Sequence, residues 1–175
     1  MKSLESEHIV LRAIEPEDLD FLFTIENDES FWEVSHTQTP FSRFLLKQYI
    51  ENCHLDIYEA KQLRLVIIEK NSNKRVGLID LFDFNPQHRR AGIGIIIHKD
   101  FQNQGYASEA LKILINYSFL TLHLHQLYAN ITEDNHNSLS LFKKYHFKNV
   151  GIKKDWILVK GKYKNEILFQ LIHEE

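Results

Sequence analysis

The chain has 175 residues, of which 43% are hydrophobic and 12% aromatic, and its formal net charge is −3 at pH 7. This composition excludes a disordered chain, and the length predicts one folded domain over residues 1–175 with its own core. The weak negative charge predicts neither nucleic acid nor a membrane as a partner, because both attract basic surfaces.

The amino-terminal half of the chain alternates strand and helix patterns. "HIVLRAI" (8–14) predicts a first strand, and "EPEDLDFLFTIEN" (15–27) a helix with Pro16 in its first turn. "SRFLLKQYIENCHLDIY" (42–58) predicts a second helix with Ser42 as its N-cap. Two β-rich runs around residues 71–74 predict a hairpin, and "RRAGIGIII" (89–97) a third consecutive strand.

The second half predicts the helix "ASEALKILINYSFL" (107–120), the strand "QLYANIT" (126–132) and the short helix "NSLSLFKKY" (137–145). A final hairpin turns near Gly161. The order β-α-α-β-β-β-α-β-α-β-β predicts an α/β (α+β) fold with a mixed, mostly antiparallel sheet of about seven strands and flanking helices. Two parallel strands should be joined through the central helix.

Cys53 is the only cysteine, so no internal disulfide can form, and we expect a small buried side chain there. The start "MKSLESEHIVLR" lacks the apolar core of a signal peptide, and no segment approaches the roughly 20 apolar residues of a membrane span. These features predict a cytoplasmic protein. His123 and His125 could share a strand face, but without a third ligand no metal site is expected.

The junction "HKDFQNQGYASEAL" (98–111) is the first candidate for a binding site. A helix amino terminus offers unpaired N–H groups to an anion, with Gly105 giving backbone clearance, Ala107 a small side chain and Ser108 a further donor. An ordinary strand-to-helix turn would look similar. The glycines of "AGIGIII" indicate a bulge or a close backbone approach. Coenzyme A, an extended amide chain with a pyrophosphate, suits both features.

Three motifs resemble the GNAT N-acetyltransferase family. Gln102-x-x-Gly105-x-Ala107 matches its (Arg/Gln)-x-x-Gly-x-(Gly/Ala) signature, and "EDNHNSLSLFKKYHF" resembles its second cofactor motif. "GLIDLFDFNPQHRRAGIGIII" and "GKYKNEI" are similar to the bacterial spermidine N-acetyltransferase branch. The resemblance implies a GNAT fold and transfer of acetyl from acetyl-CoA to a primary amine, with a polyamine such as spermidine as the acceptor. A protein amino terminus, as in the ribosomal-protein branch, is the second choice.

The resemblance also implies which residues hold acetyl-CoA. Backbone groups of three isoleucines would meet the pantetheine arm, namely Ile95, Ile96 and Ile97. Backbone N–H groups of the following loop would hold the pyrophosphate, through Gln102, Asn103, Gln104, Gly105, Tyr106, Ala107 and Ser108. Residues of the short helix would complete the site from the other side, namely Asn135, Ser138 and Phe142.

The chain departs from the family at the proton donor. Many members carry a Tyr that serves the departing thiolate, but Phe142 stands at that position and has no proton to give. We favour Ser138 as the catalytic substitute, because it lies one turn earlier and matches the Asn-x-x-Ser pattern of the ribosomal branch. Ser138 could instead merely stabilise the helix start, and Tyr145 is the other candidate. The missing Tyr also leaves open a catalytically weak acyl-CoA sensor.

The base and the acceptor site are less well defined. Polyamine relatives carry a Glu after "HRRA" and a Gln two residues on, where this chain has Gly92 and Gly94. Asp80 and Asp83 should point to opposite faces of their strand, and a water chain could replace a base. Relatives also carry paired glutamates where this chain reads "HTQTP".

The acids upstream of "HTQTP" are either a polyamine clamp or a solvated helix end. They are Glu26, Asp28, Glu29 and Glu33. The polyamine relatives form large rings, so the resemblance leaves a homo-oligomer open.

Overall fold

The computed structural model describes residues 4–174, in which seven strands and six helices are found. The strands are β1 (Ile9–Ala13), β2 (Leu63–Glu69), β3 (Lys74–Asn85), β4 (Arg90–Ile97), β5 (Gln126–Thr132), β6 (Lys148–Val159) and β7 (Lys162–Ile172). The helices are α1 (Leu19–Glu26), α2 (Trp32–Ser35), α3 (Arg43–Glu51), α4 (Ile57–Ala60), α5 (Tyr106–Leu120) and α6 (His136–Lys144). None of the helices within these residues is both long and apolar enough to cross a membrane.

All seven strands form one sheet in the order β1-β2-β3-β4-β5-β7-β6. Every neighbouring pair is antiparallel except β4 and β5, which are parallel and joined through α5. The predicted mixed, mostly antiparallel sheet is therefore confirmed. A parallel neighbour requires a crossover connection, and the 15 residues of α5 supply it.

Both faces of the sheet are covered by helices. On one face, Leu111 and Leu114 of α5 are fully buried in a core that also contains Phe142 of α6. On the other face, Leu22 of α1 and Leu46 of α3 pack in a second, smaller core. Burial of these apolar side chains on both sides fixes the sheet between two helical layers.

The second predicted helix is shorter than expected. Ser42 caps α3 as predicted, because its side chain accepts a hydrogen bond from the N–H of Leu45 (3.1 Å). However, α3 ends at Glu51, and a new turn of helix, α4, begins after Asp56, whose side chain caps it. Cys53 lies in the turn between the two helices and is exposed, so the expectation of a buried cysteine was wrong.

The irregularity expected in β4 lies in its neighbour β3. The pairing of β3 with β4 shifts between Phe82 and Asn85, and Asp83 has a φ of 47°. Gly92 is regularly paired with Phe82, but a Cβ there would lie 2.2 Å from the Phe82 ring. Gly92 therefore makes room for an aromatic side chain on the next strand.

The parallel strands β4 and β5 pair over only three residue pairs, of which Gly92 with Tyr128 is the last. Beyond that point the strands separate, leaving a gap between residues 93–97 of β4 and 129–132 of β5. We call this gap the slot. It opens toward the end of β4 that leads into α5.

Candidate active site

The β4 side of the slot offers unpaired backbone groups. The N–H of His98 donates to the carbonyl of Val76 on β3 (2.8 Å). Because backbone groups alternate along an antiparallel strand, those of Ile96 also face β3, whereas those of Ile93, Ile95 and Ile97 face the slot. Of the three predicted isoleucines, Ile95 and Ile97 thus turn their backbone groups toward the slot.

Ile96 does not share that geometry. Its backbone is turned toward β3, and its side chain lines a cavity on the other side of β4. The carbonyl of Ile97, in turn, already accepts a hydrogen bond from the side-chain amide of Gln102 (3.0 Å). Gln102 therefore ties the end of the strand to the loop that follows, which leaves the backbone groups of Ile95 facing the slot.

The loop from Gln102 to Gly105 turns sharply before α5 begins at Tyr106. Asn103 and Gly105 have positive φ angles of 59° and 89°. A Cβ at Gly105 would meet no protein atom within 4 Å, so the backbone there borders open space, and the clearance predicted for a ligand stays a prediction. Glycine is favoured here because of the left-handed backbone, and the open surface beside it leaves the first N–H groups of α5 accessible to an anion.

The first turn of α5 is linked to the end of α6. The ammonium group of Lys144 donates to Ser108 Oγ (2.7 Å), which also contacts the hydroxyl of Tyr145 (2.8 Å). A positive charge thus lies beside an amino terminus that is itself partly positive. Sequence reasoning missed Lys144, because nothing in "FKKY" tells which lysine reaches the other helix.

A small cavity of about 60 Å³ lies in the slot and brings together residues of five elements, α2, β4, β5, α6 and β7. Asn135 caps α6, since its side chain accepts from the N–H of Ser138 (3.2 Å). Phe142 is buried against Phe147, with ring centroids 5.0 Å apart. The small cavity therefore joins Ile95 to three of the predicted residues of α6 and its cap, Asn135, Ser138 and Phe142.

The hydroxyl of Ser138 is available for chemistry. Among residues 4–174 it forms no hydrogen bond, and Ser138 lines the small cavity. Tyr145, the alternative donor, contacts Ser108 at the amino terminus of α5 instead. Of the two candidates, Ser138 is the one placed in the slot.

A larger cavity of about 480 Å³ adjoins the small one on the side of α1 and α3. The two share six lining residues: Val34, His36, Ile93, Gly94, Ile95 and Asn130. On its floor, strand register aligns Arg64 of β2 with Asp80 of β3, and Asp80 with Gly94 of β4. Glu26 of α1 and Tyr49 of α3 also line this cavity.

The charges in the large cavity are unequally matched. Glu26 Oε1 lies 2.6 Å from Arg64 Nη2, but neither Glu26 Oε1 nor Arg64 Nε has an aligned hydrogen-bond partner within the described chain. Burial works to lower the pKa of Arg64, but the Glu26 and Asp80 carboxylates outweigh it and raise that pKa. Burial raises the pKa of Asp80 to about 6, although Arg64 opposes the shift.

The four predicted acids separate into two groups. Glu26 lines the large cavity and Glu33 the small one, where Glu33 pairs with Lys164 (2.6 Å). Asp28 caps a helical turn and lies 3.5 Å from Lys99, and Glu29 is exposed. Only part of the expected acidic surface therefore faces the site.

Asp80 and Asp83 point in different directions, as predicted. Asp80 lines the large cavity, whereas Asp83 is exposed and accepts a hydrogen bond from the Tyr128 hydroxyl (3.1 Å). Arg64, which sequence reasoning missed, had one visible signal: it is a charge within the otherwise apolar run from Leu63 to Ile68. Its partners on α1 and β3 could not be foreseen, because they depend on strand register.

Together these features place an exposed helix amino terminus and a hydroxyl without a hydrogen-bond partner at one slot, with a carboxylate in the adjoining cavity. A family model described as an acetyltransferase (GNAT) domain matches residues 8–148. The spermidine N(1)-acetyltransferase of Escherichia coli K12 is 29% identical over 168 residues, covering 94% of this chain and 86% of that protein.

Solved structures show the same architecture. A Vibrio cholerae spermidine N-acetyltransferase in complex with CoA and spermine superposes with a TM-score of 0.87 at 23% identity, covering 95% of this chain and 96% of that one. A dodecameric structure of the Vibrio cholerae enzyme gives a TM-score of 0.80 at 26% identity, with 95% of both chains covered. On the extent of the family match and the arrangement of the site, the chain belongs to the GNAT family of N-acetyltransferases.

Proposed function

We propose that the chain transfers acetyl from acetyl-CoA to a primary amine, with a polyamine such as spermidine as the preferred acceptor. The observation that carries the proposal is the junction of two cavities at β4. One cavity lies in a slot with open backbone groups, and the other contains carboxylates that suit a cationic amine. A donor and an acceptor entering from these two sides would meet at Gly94 and Ile95.

The slot fits acetyl-CoA on the chemistry of its lining. The accessible N–H groups at the start of α5, with Lys144 beside them, suit the pyrophosphate, and the backbone of Ile95 suits an amide of the pantetheine arm. Asn135 would contact that arm from the α6 side. Acetyl-CoA would supply an activated acyl group, and this chain would hold it, exclude water and manage the protons.

Ser138 is the proposed donor to the departing sulfur. Its hydroxyl has no partner among the described residues and lines the small cavity beside Phe142, where other family members carry a Tyr. The Asn135–Ser138 spacing also supports the second candidate acceptor, a protein amino terminus. Phe142 supports a third possibility, a weakly catalytic acyl-CoA sensor.

A polyamine is the first choice because Glu26 and Asp80 line the large cavity and because the E. coli and Vibrio cholerae relatives are named for spermidine. The segment ending at Pro40 lacks the glutamates of that branch, so recognition would rest on the cavity itself. We include a homo-oligomer in the proposal, since a dodecameric structure is known for the Vibrio cholerae relative.

The test is steady-state release of CoA thiol from acetyl-CoA over a panel of polyamines, diamines and peptides with free amino termini. Product mass would confirm addition of one acetyl group. We expect turnover to be fastest with spermidine or spermine. Faster turnover of peptides would move the function to the amino-terminal class. Tight CoA binding without turnover of any amine would favour the sensor.

A further inference from the structure

The carboxylate of Asp80 is unpartnered within the large cavity. No hydrogen bond and no ion pair within 4.0 Å links it to any residue from 4 to 174, although Arg64 is its register partner on β2. The side chain is half-buried and lines the cavity wall. A desolvated carboxylate with no fixed partner is costly for folding, so its position calls for a functional explanation.

Gly94 brings this carboxylate next to the slot. A Cβ on Gly94 would lie 3.4 Å from Asp80 Oδ1, so any side chain there would stand directly against the acid. Gly94 also lines the small cavity. The carboxylate therefore lies beside the strand where the two cavities meet, at the level of Gly94.

We propose that Asp80 is the general base that removes the proton from the acceptor ammonium. This role rests on the proposed acetyl transfer. Gly92 and Gly94 on β4 have no side chain that could serve as a base, whereas Asp80 on the neighbouring strand β3 offers a carboxylate. An alkylammonium with a pKa of about 10 is almost fully charged at neutral pH and cannot attack a thioester until it loses a proton.

The step balances as follows. One oxygen of Asp80 takes a proton from the ammonium, which leaves a lone pair on the amine nitrogen. That nitrogen forms a bond to the acetyl carbon, and the carbon–sulfur bond breaks. The nitrogen, which still carries two hydrogens after the attack, loses one of them to water as the amide forms. The sulfur leaves with the bonding electrons and takes a proton either from Ser138, which regains one from water, or directly from solvent. The products are the acetylated amine and CoA, and Asp80 then releases its proton to water.

The surrounding charges support this role. The groups that face Asp80 are Arg64 from β2, Glu26 from α1, Tyr49 from α3 and His36 after α2. Glu26 pairs with Arg64 at 2.6 Å, so the guanidinium is already matched and does not lock the Asp80 carboxylate. Burial raises the pKa of Asp80 to about 6, close to the range in which a base both accepts and releases protons.

The test compares Asp80→Asn with a matched control on the same strand, Asp83→Asn, using the best acceptor of the panel. Asp80→Asn should lower kcat about 10²-fold with an unchanged KM for acetyl-CoA, and Asp83→Asn should stay within about twofold of wild type. Asp80→Glu, which keeps a carboxyl group, should recover part of the loss. In the wild type, kcat/KM should fall as the pH drops below about 6, because Asp80 becomes protonated. This fall should be absent from the pH profile of Asp80→Asn.

A second measurement separates a base from a structural role. An analogue of the acceptor fluorinated next to its amine is largely uncharged near pH 7, so it needs no base. The loss caused by Asp80→Asn should shrink markedly for this analogue, whereas a packing defect would affect both acceptors alike. An equal loss with both acceptors, or turnover of Asp80→Asn within about twofold of wild type, would overturn the base while leaving acetyl transfer intact. Absence of wild-type turnover would overturn both proposals.

Discussion

At the scale of single residues, the proposed proton donor is a single hydroxyl, that of Ser138. Phe142 is buried and apolar, and the hydroxyl of Ser138 has no hydrogen-bond partner within residues 4–174. We therefore predict that Ser138→Ala lowers kcat about 10²-fold with little change in the KM for acetyl-CoA, because a hydrogen bond to the departing sulfur is needed only in the transition state. Steady-state kinetics with the best amine would measure the effect.

The matched control is Ser140→Ala, which removes a hydroxyl from the exposed face of the same helix. It should leave kcat unchanged. If Ser138→Ala keeps a rate within about twofold of wild type, the serine serves only the start of α6 and solvent protonates the sulfur.

Only some of these residue positions could be foreseen. The motif around Asn135 predicted that Ser138 and Phe142 would share a site, since residues four apart lie on one helix face. Arg64, Asp80 and Gly94 come together because three strands are aligned in one register, and register follows from packing that a single sequence does not reveal. The residues of the proposed acyl-CoA side could therefore be predicted from sequence more readily than those of the proposed acceptor side.

At the scale of elements, α6 contributes to the site at both ends. Asn135 and Ser138 lie at its amino terminus, and Lys144 at its last turn reaches Ser108 on α5. We predict that Lys144→Ala raises the KM for acetyl-CoA several-fold and leaves kcat unchanged. This corresponds to a loss of about 1 kcal/mol of binding free energy, because an exposed charge near a phosphate contributes modestly to binding. The difference from wild type should fall as salt is added, since the charge is exposed.

Lys143→Ala is the matched control for this prediction, because it removes the neighbouring exposed charge without touching Ser108. Equal KM changes in both variants would mean that overall charge, and not the contact to α5, attracts the cofactor.

The elements themselves were largely predictable where a pattern was long and regular. Strand β5 agrees with its predicted bounds, and α5 and α6 agree within one residue, because their apolar periods are clear. The single-turn helices α2 and α4 were not predicted, since four residues carry too little periodicity. The bulge at Asp83 on β3 was also missed. The glycines of β4 suggested a bulge in β4, but Gly92 is needed there because a side chain would clash with Phe82 on β3.

At the scale of the whole molecule, two carboxylates act on stability in opposite directions. Asp18 is fully buried. Burial works to raise its pKa, but hydrogen bonds from Arg12, the N–H of Glu15 and Arg75 outweigh it and hold the pKa at about 2. Because this folded pKa lies below the unfolded value, Asp18 stabilises the fold above pH 4, and that contribution is lost as the pH falls toward 2.

Asp80 has the opposite sign, which leads to a prediction for stability. Its folded pKa of about 6 lies above the unfolded value of about 3.9, so its contribution favours folding below pH 4 and is lost as the pH rises to 6. We predict that the free energy of unfolding of Asp80→Asn, which cannot ionise, rises relative to that of wild type by about 3 kcal/mol as the pH increases from 4 to 7. Above pH 7 the difference should stay constant. Urea unfolding at several pH values measures the difference.

Asp18→Asn provides the contrast, because it should lose stability relative to wild type as the pH rises from 2 to 4. A stability difference for Asp80→Asn that does not change with pH would mean that the Asp80 carboxyl is solvated in the folded protein. If the prediction holds, the same substitution makes the molecule more stable and less active, which is the relation expected when a desolvated acid is retained for catalysis rather than for folding.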